Sequence, residues 1–136
     1  MSNDLMNVTE SFENSNIFVS FMPETDADKA LVYRALNAPD QKINDLINTV
    51  ICIRDFTCET IILHNEDGTE REGVRIGLIT VDGGTVMTTS NGIYRALKTL
   101  CKLYGMPSWT QGIKVKVCQE ERNGRRIFNL VPQFGK

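Results

Sequence analysis

From Ile113 to Leu130, in the run IKVKVCQEERNGRRIFNL, apolar and polar residues alternate on either side of an Asn-Gly pair. Period two marks a strand with one buried face, and Asn123-Gly124 calls for a two-residue hairpin turn. That turn fixes the register. Arg122 faces Arg125, Glu121 faces Arg126, Glu120 faces Ile127, Gln119 faces Phe128 and Cys118 faces Asn129. Ile113, Val115, Val117, Phe128 and Leu130 then share the core side. Lys114, Lys116, Arg122 and Arg125 share the other.

Upstream, the period changes to that of a helix. Ile93, Ala96, Leu97, Leu100, Cys101 and Tyr104 form one apolar stripe. Ser90 stands at its N-cap, Gly105 at its C-terminal cap, and Pro107 closes it off. Three β-rich runs precede this helix. TVICIRDFTCETIIL (49–63) is too long for one simple strand and is expected to bend or bulge. EGVRIGLITV (72–81) and a short strand over 85–89 follow, separated by the turns HNEDG and DGG. Nearer the start, NIFVSF (16–21) reads as a strand. A helix over 26–36 is capped by Thr25 with Asp28 at its third position, and a second short helix covers 40–47. Residues 1–14 read as a flexible tail.

From residue 49 the order is strand, strand, strand, helix, strand, strand. This is the order of an OB-fold, a five-stranded Greek-key barrel with its helix between strands three and four. The expected fold is mainly β (α+β), a single domain over 15–136. Residues 15–48 form a strand and two-helix extension to a barrel over 49–136.

Composition alters this picture in one respect. The net charge of −2 is that of an ordinary soluble chain, but residues 1–89 hold six Lys and Arg against 15 Asp and Glu. Residues 90–136 hold nine against two. The basic end either awaits an anionic partner or packs against the acidic end and cancels it. The first 16 residues are polar and acidic, unlike a secretory signal, and no apolar run reaches the roughly 20 residues of a membrane span, so the expectation is the cytoplasm. The four cysteines have no zinc-binding spacing, and they read as small, mostly buried residues. No metal or other cofactor is expected.

Sorting the strands by face supplies the candidate site. On the first long strand Ile51 and Ile53 point inward, leaving Arg54 and Phe56 outward. A bulge one residue earlier would instead bury Phe56. On the next strand Arg75 and Gly77 lie outward, Gly77 leaving room for a flat base. Trp109 either stacks on a base or wedges beneath the end of the helix. Cations beside an exposed aromatic suit single-stranded nucleic acid, because phosphates meet the charges and bases stack on the rings. The hairpin cations also suit an exposed sheet edge that resists aggregation.

VDGGTVMTTSNGIYRALKTLCKLYGMPSW followed by IKVKVCQEERNGRRIFNL resembles the small single-stranded DNA-binding proteins of tailed phages that infect Gram-positive bacteria. ALVYRALNAPDQKINDLIN carries a weaker likeness. The resemblance implies an OB-fold that coats replicating phage DNA without sequence preference inside the infected cell. Lys114, Lys116, Arg122 and Arg125 match the family's basic hairpin, while Arg75, Arg54 and Phe56 match in position alone. Cellular single-strand binders end in an acidic recruiting tail, whereas this sequence ends VPQFGK. Replisome proteins are possible further partners, and a homo-oligomer is possible. The alternative is a protein-interaction module that does not touch nucleic acid. An enzyme is not expected, since the sequence carries no G-x-S-x-G, Walker or H-E-x-x-H motif and has one histidine, His64.

Overall fold

The computed structural model describes residues 16–133 of the 136. The tail expected over residues 1–14 lies outside the described residues. In chain order the elements are β1 (Ile17–Val19), α1 (Asp26–Asn37), β2 (Gln41–Lys42), a 3-10 turn (Ile43–Leu46), β3 (Val50–His64), β4 (Glu70–Thr80), β5 (Thr85–Thr88), α2 (Asn91–Tyr104), β6 (Ile113–Arg122) and β7 (Arg125–Pro132).

One strongly curled sheet of seven strands carries the fold, in the order β2-β5-β4-β3-β6-β7 with β1 added on β3. The expected barrel had five strands and an extension apart from it. Here β1 and β2, from that extension, belong to the same sheet. The path ends at β2 and β7, and no ladder joins these two edges among the described residues. The second short helix expected over 40–47 is in fact the two-residue strand β2 and one 3-10 turn. Asp40 explains the strand. Its backbone N–H donates to Thr85 Oγ1 at 2.9 Å, and its carboxylate accepts from the Thr85 N–H at 3.0 Å. This draws β2 into parallel register with β5.

β3 is the spine. One edge pairs with β4 along most of its length; the other pairs with β6 over Val50–Ile53 and then with β1 over Thr57–Glu59. A single edge serves two partners because the register shifts between Ile53 and Asp55. The extra residue, Arg54, bends the strand there.

The concave face holds the main core. Ile53, Phe56, Ile76, Leu78, Val115 and Val117 meet Ile93, Leu97 and Leu100 from the apolar stripe of α2. Ser90 caps α2 by accepting from the Ile93 N–H at 3.3 Å, and Gly105, at φ +84°, ends it. Gly92, in the first turn, lies so close to β7 that an added Cβ would overlap the Phe128 carbonyl oxygen. The convex face is covered as well. α1, capped by Thr25 as its sequence indicates, packs Leu31 and Ala35 against Ile79, with Phe21 alongside. No helix among the described residues is long and apolar enough to cross a membrane.

Candidate functional site

The hairpin keeps the register that its turn dictates. Arg122 pairs with Arg125, Glu121 with Arg126, and the pairing continues to Val115 opposite Pro132. Asn123 and Gly124 both have positive φ, +53° and +78°, which a two-residue turn of this hand requires. Val115, Val117 and Leu130 are buried, whereas Lys114, Arg122 and Arg125 are exposed and Lys116 is half-buried.

The four hairpin cations nevertheless do not form one cluster. Lys114 and Lys116 sit beside Cys52 and Val50 at the far end of β6. Lys116 and Arg122 are six steps apart along the strand, roughly 20 Å. Arg122 forms an ion pair with Glu120 at 3.3 Å.

The open alternatives for Phe56 and Trp109 both resolve to the core, which removes the two rings from the candidate site, and the expectation for Gly77 is corrected. Phe56 is buried, at 5 % exposure, because the bulge at Arg54 turns the ring into the core. Trp109 is buried too. Its indole N–H donates to the Gly105 carbonyl at 2.9 Å and its ring lies 6.2 Å from that of Phe56. Gly77 leaves no space for a base, since a Cβ there would come within 2.6 Å of the Ala35 carbonyl oxygen and 2.7 Å of Thr57 Oγ1. The glycine admits α1, not a ligand.

Arg54 and Arg75 are half-buried. Arg54 binds the wholly buried Asp55 at 2.8 Å and lies over the Phe21 ring at 5.4 Å, so its charge is already engaged. Arg75 Nε is buried and has no hydrogen-bond partner among the described residues.

The structure gathers a different set of cations. Where the β6–β7 turn approaches the first turn of α2, a cleft of about 530 Å³ is lined by Lys42, Arg71, Arg95, Arg125 and Arg126. No Asp or Glu lines it, in a chain that has 17 of them. None of the five cations has a carboxylate within 4.0 Å among the described residues. A second hollow, bounded by Asn65, Arg71, Asn91, Arg125 and Arg126, extends the cleft across the β3–β4 turn.

The five cations arrive on four different elements, Arg125 and Arg126 together on β7. Lys42 comes through the β2–β5 pairing and Arg95 from α2. Arg71 is oriented by the β3–β4 turn, where its Nε donates to Asn65 Oδ1 at 3.2 Å and the Asn65 amide donates to Thr69 Oγ1 at 2.9 Å. Asn91 and Gly92, in the first turn of α2, line the same cleft, so the positive end of the helix dipole lies beside it. Such an assembly attracts an extended anion and provides donors for its oxygens.

Of the candidate binding residues named from the sequence, Arg125 alone belongs to this cleft. Arg71, Arg95 and Lys42 carried no local signal, because nothing in their own segments shows that they converge. Arg126 faces Glu121 across the hairpin, as its turn dictates. No ion pair forms between the two among the described residues, and Arg126 enters the cleft.

Among the described residues no group of three or more His, Cys, Asp or Glu side chains is placed to hold a metal ion. The four cysteines are free and half-buried. Burial, with Cys101 close by as the smaller cause, pushes the Cys58 thiol up to about 11. Hydrogen bonds from the Thr69 and Thr80 hydroxyls lower the pKa values of Asp67 and Asp82, fixing the two tight turns. No family model matches the chain, and no curated protein or solved structure matches it significantly.

Proposed function

We propose that this chain is a non-enzymatic protein that binds single-stranded DNA without sequence preference, coating and protecting it during phage replication in the host cytoplasm, on an OB-type sheet. The observation that carries this reading is the cleft at the α2 N-terminus, with five cations and no lining carboxylate. The strand order supports the OB assignment. β5-β4-β3-β6-β7 reproduces the neighbours of OB strands three, two, one, four and five, with α2 between the third and fourth. The cleft lies between the β3–β4 and β6–β7 turns, the two loops that flank an OB-fold's ligand groove. The resemblance of the segment around α2 and the hairpin to phage single-strand binders points the same way.

The mechanism is electrostatic. Phosphates entering the cleft displace counterions from the strand, and unpaired arginines receive them without first breaking an ion pair. Sequence independence follows, because a phosphate carries no base identity.

The test is the affinity for a dT oligonucleotide measured from low to moderate salt. Engagement of all five cations gives a slope of log K against log salt of about −3.5, at about −0.7 per contact on a single strand. Absence of binding at low salt would overturn the proposal. Reversing charge at Arg71, Arg125 and Arg126 separates it from a protein-interaction role, since DNA binding then disappears while a purely protein-binding surface elsewhere is untouched.

A further inference from the structure

With Phe56 and Trp109 buried, the one ring that lines the cationic cleft is that of Phe128, itself half-buried against the core, yet unspecific single-strand binding draws much of its affinity from stacking. A second groove, of about 770 Å³, runs along the other flank of α2 against β1 and β3. Its walls are mainly apolar, with the Phe18 and Tyr94 rings and Met106 among them. Its only charged lining residues are Arg95, Lys98 and Lys102. Phe18 is 43 % exposed and stands 5.9 Å from the Phe56 ring, which backs it. Lys98 Nζ lies over the Tyr94 ring at 5.2 Å.

Arg95 connects the two halves, because it lines both the cleft and this groove. Positions 95, 98 and 102 fall on neighbouring turns of one helix and set a row of cations alongside the apolar wall. An occupant must therefore be anionic along one edge and flat and apolar along the other, and it must continue from the cleft around the start of α2.

We propose that this groove is the base-stacking half of the interface. The strand passes from the cleft at Arg95 and lays bases against Phe18 and Tyr94, while Lys98 and Lys102 meet the phosphates. This rests on the single-strand reading above, and it assigns stacking to two rings not singled out in the sequence.

The test compares binding of a dT oligonucleotide and an abasic oligonucleotide of equal length by the full chain, Phe18→Leu and Tyr94→Leu, with Tyr94→Phe as the ring-preserving control. The folding of each variant is checked by its melting transition. Loss of one stacked base weakens dT binding about tenfold or more. The expected result is such a loss for both leucine variants, unchanged abasic binding, an unchanged salt slope, and wild-type affinity for Tyr94→Phe. Wild-type dT affinity in both folded leucine variants would overturn the groove assignment while leaving the cleft reading intact. Failure of the wild-type chain to bind DNA at all overturns both. Displacement of the oligonucleotide by poly-glutamate in wild type but not in Phe18→Leu would assign the groove to an acidic polypeptide instead.

Discussion

The hydroxyl of Ser108, in the loop after α2, lies 2.9 Å from both carboxylate oxygens of Asp55. Asp55 is wholly buried next to the β3 bulge, and it also accepts from Arg54 Nε at 2.8 Å and from the Ser20 hydroxyl at 2.7 Å. One carboxylate thus joins the strand that organises the sheet to the segment before α1 and to the loop leading into β6. Removing it strands a guanidinium and two hydroxyls. Asp55→Ala is expected to cost about 3 kcal/mol, the scale for breaking a buried pair. Ser108→Ala, which deletes one neutral donor, costs about 1 kcal/mol. Urea unfolding midpoints measure both, and equal effects would refute the assignment of Asp55 as the shared acceptor.

Gly77 and Gly92 are required for close approach, one under α1 and the other against β7. At each, the atom that an added methyl meets is a backbone carbonyl, which cannot rotate out of the way. Gly77→Ala and Gly92→Ala are each expected to lose about 1–3 kcal/mol, the cost of overpacking. Alanine's better helix propensity at position 92 offsets less than this. In thermal melts both variants fall by about 5 °C or more. A Gly92→Ala protein as stable as wild type would mean that α2 and β7 are not in close contact.

Arg71 and Arg126 should outrank the hairpin lysines in DNA binding. Arg71→Ala and Arg126→Ala each reduce the salt slope by about 0.7, the value of one lost phosphate contact. Lys114→Ala with Lys116→Ala, at the far end of β6, changes it less. Asn65→Ala acts through the orientation of Arg71 and weakens binding without removing a charge. Titrations across a salt series, variant by variant, give the order.

The Cys58 thiol, held up at about 11, is protonated in the fold at a pH where an ordinary cysteine, at 9.0, has begun to ionise. A raised thiol value favours the folded state in full below pH 9, and the contribution is lost as pH rises towards 11. Urea midpoints of wild type should therefore fall more over that window than those of Cys58→Ala. Alkylation by iodoacetamide at pH 8.5, followed by mass spectrometry, should be slower at Cys58 in the native protein than in urea. Equal rates would contradict the shielded thiol.

Local chemistry made several features readable. Asn123-Gly124 admits positive φ at two successive residues, so the turn, the register and the two faces of the hairpin followed from eighteen residues. Ser90 and the apolar stripe behind it marked α2, and Thr25 with Asp28 marked the start of α1. The length of 49–63 announced a bend.

What the sequence could not supply was where that bend falls. A bulge at Arg54 inverts every later side chain of β3, so Phe56 is core and the sheet edge can take β1 after β6. Strand alternation carries face information only until the first irregularity.

The remaining differences come from contacts between segments distant in the chain. α1 covers the face that alternation left outward, because Leu31 and Ala35 find Ile79 more than forty residues away, and Gly77 is small for that helix. Arg71, Arg95, Arg125 and Arg126 lie on three separate elements, and each looks like an ordinary surface cation in its own segment. Charge has long reach in space but no signature of convergence in sequence, so the amino-acid order determined the strands, the caps and the hairpin. Only the curl of the sheet and the packing of α2 across it decided which cations share a cleft.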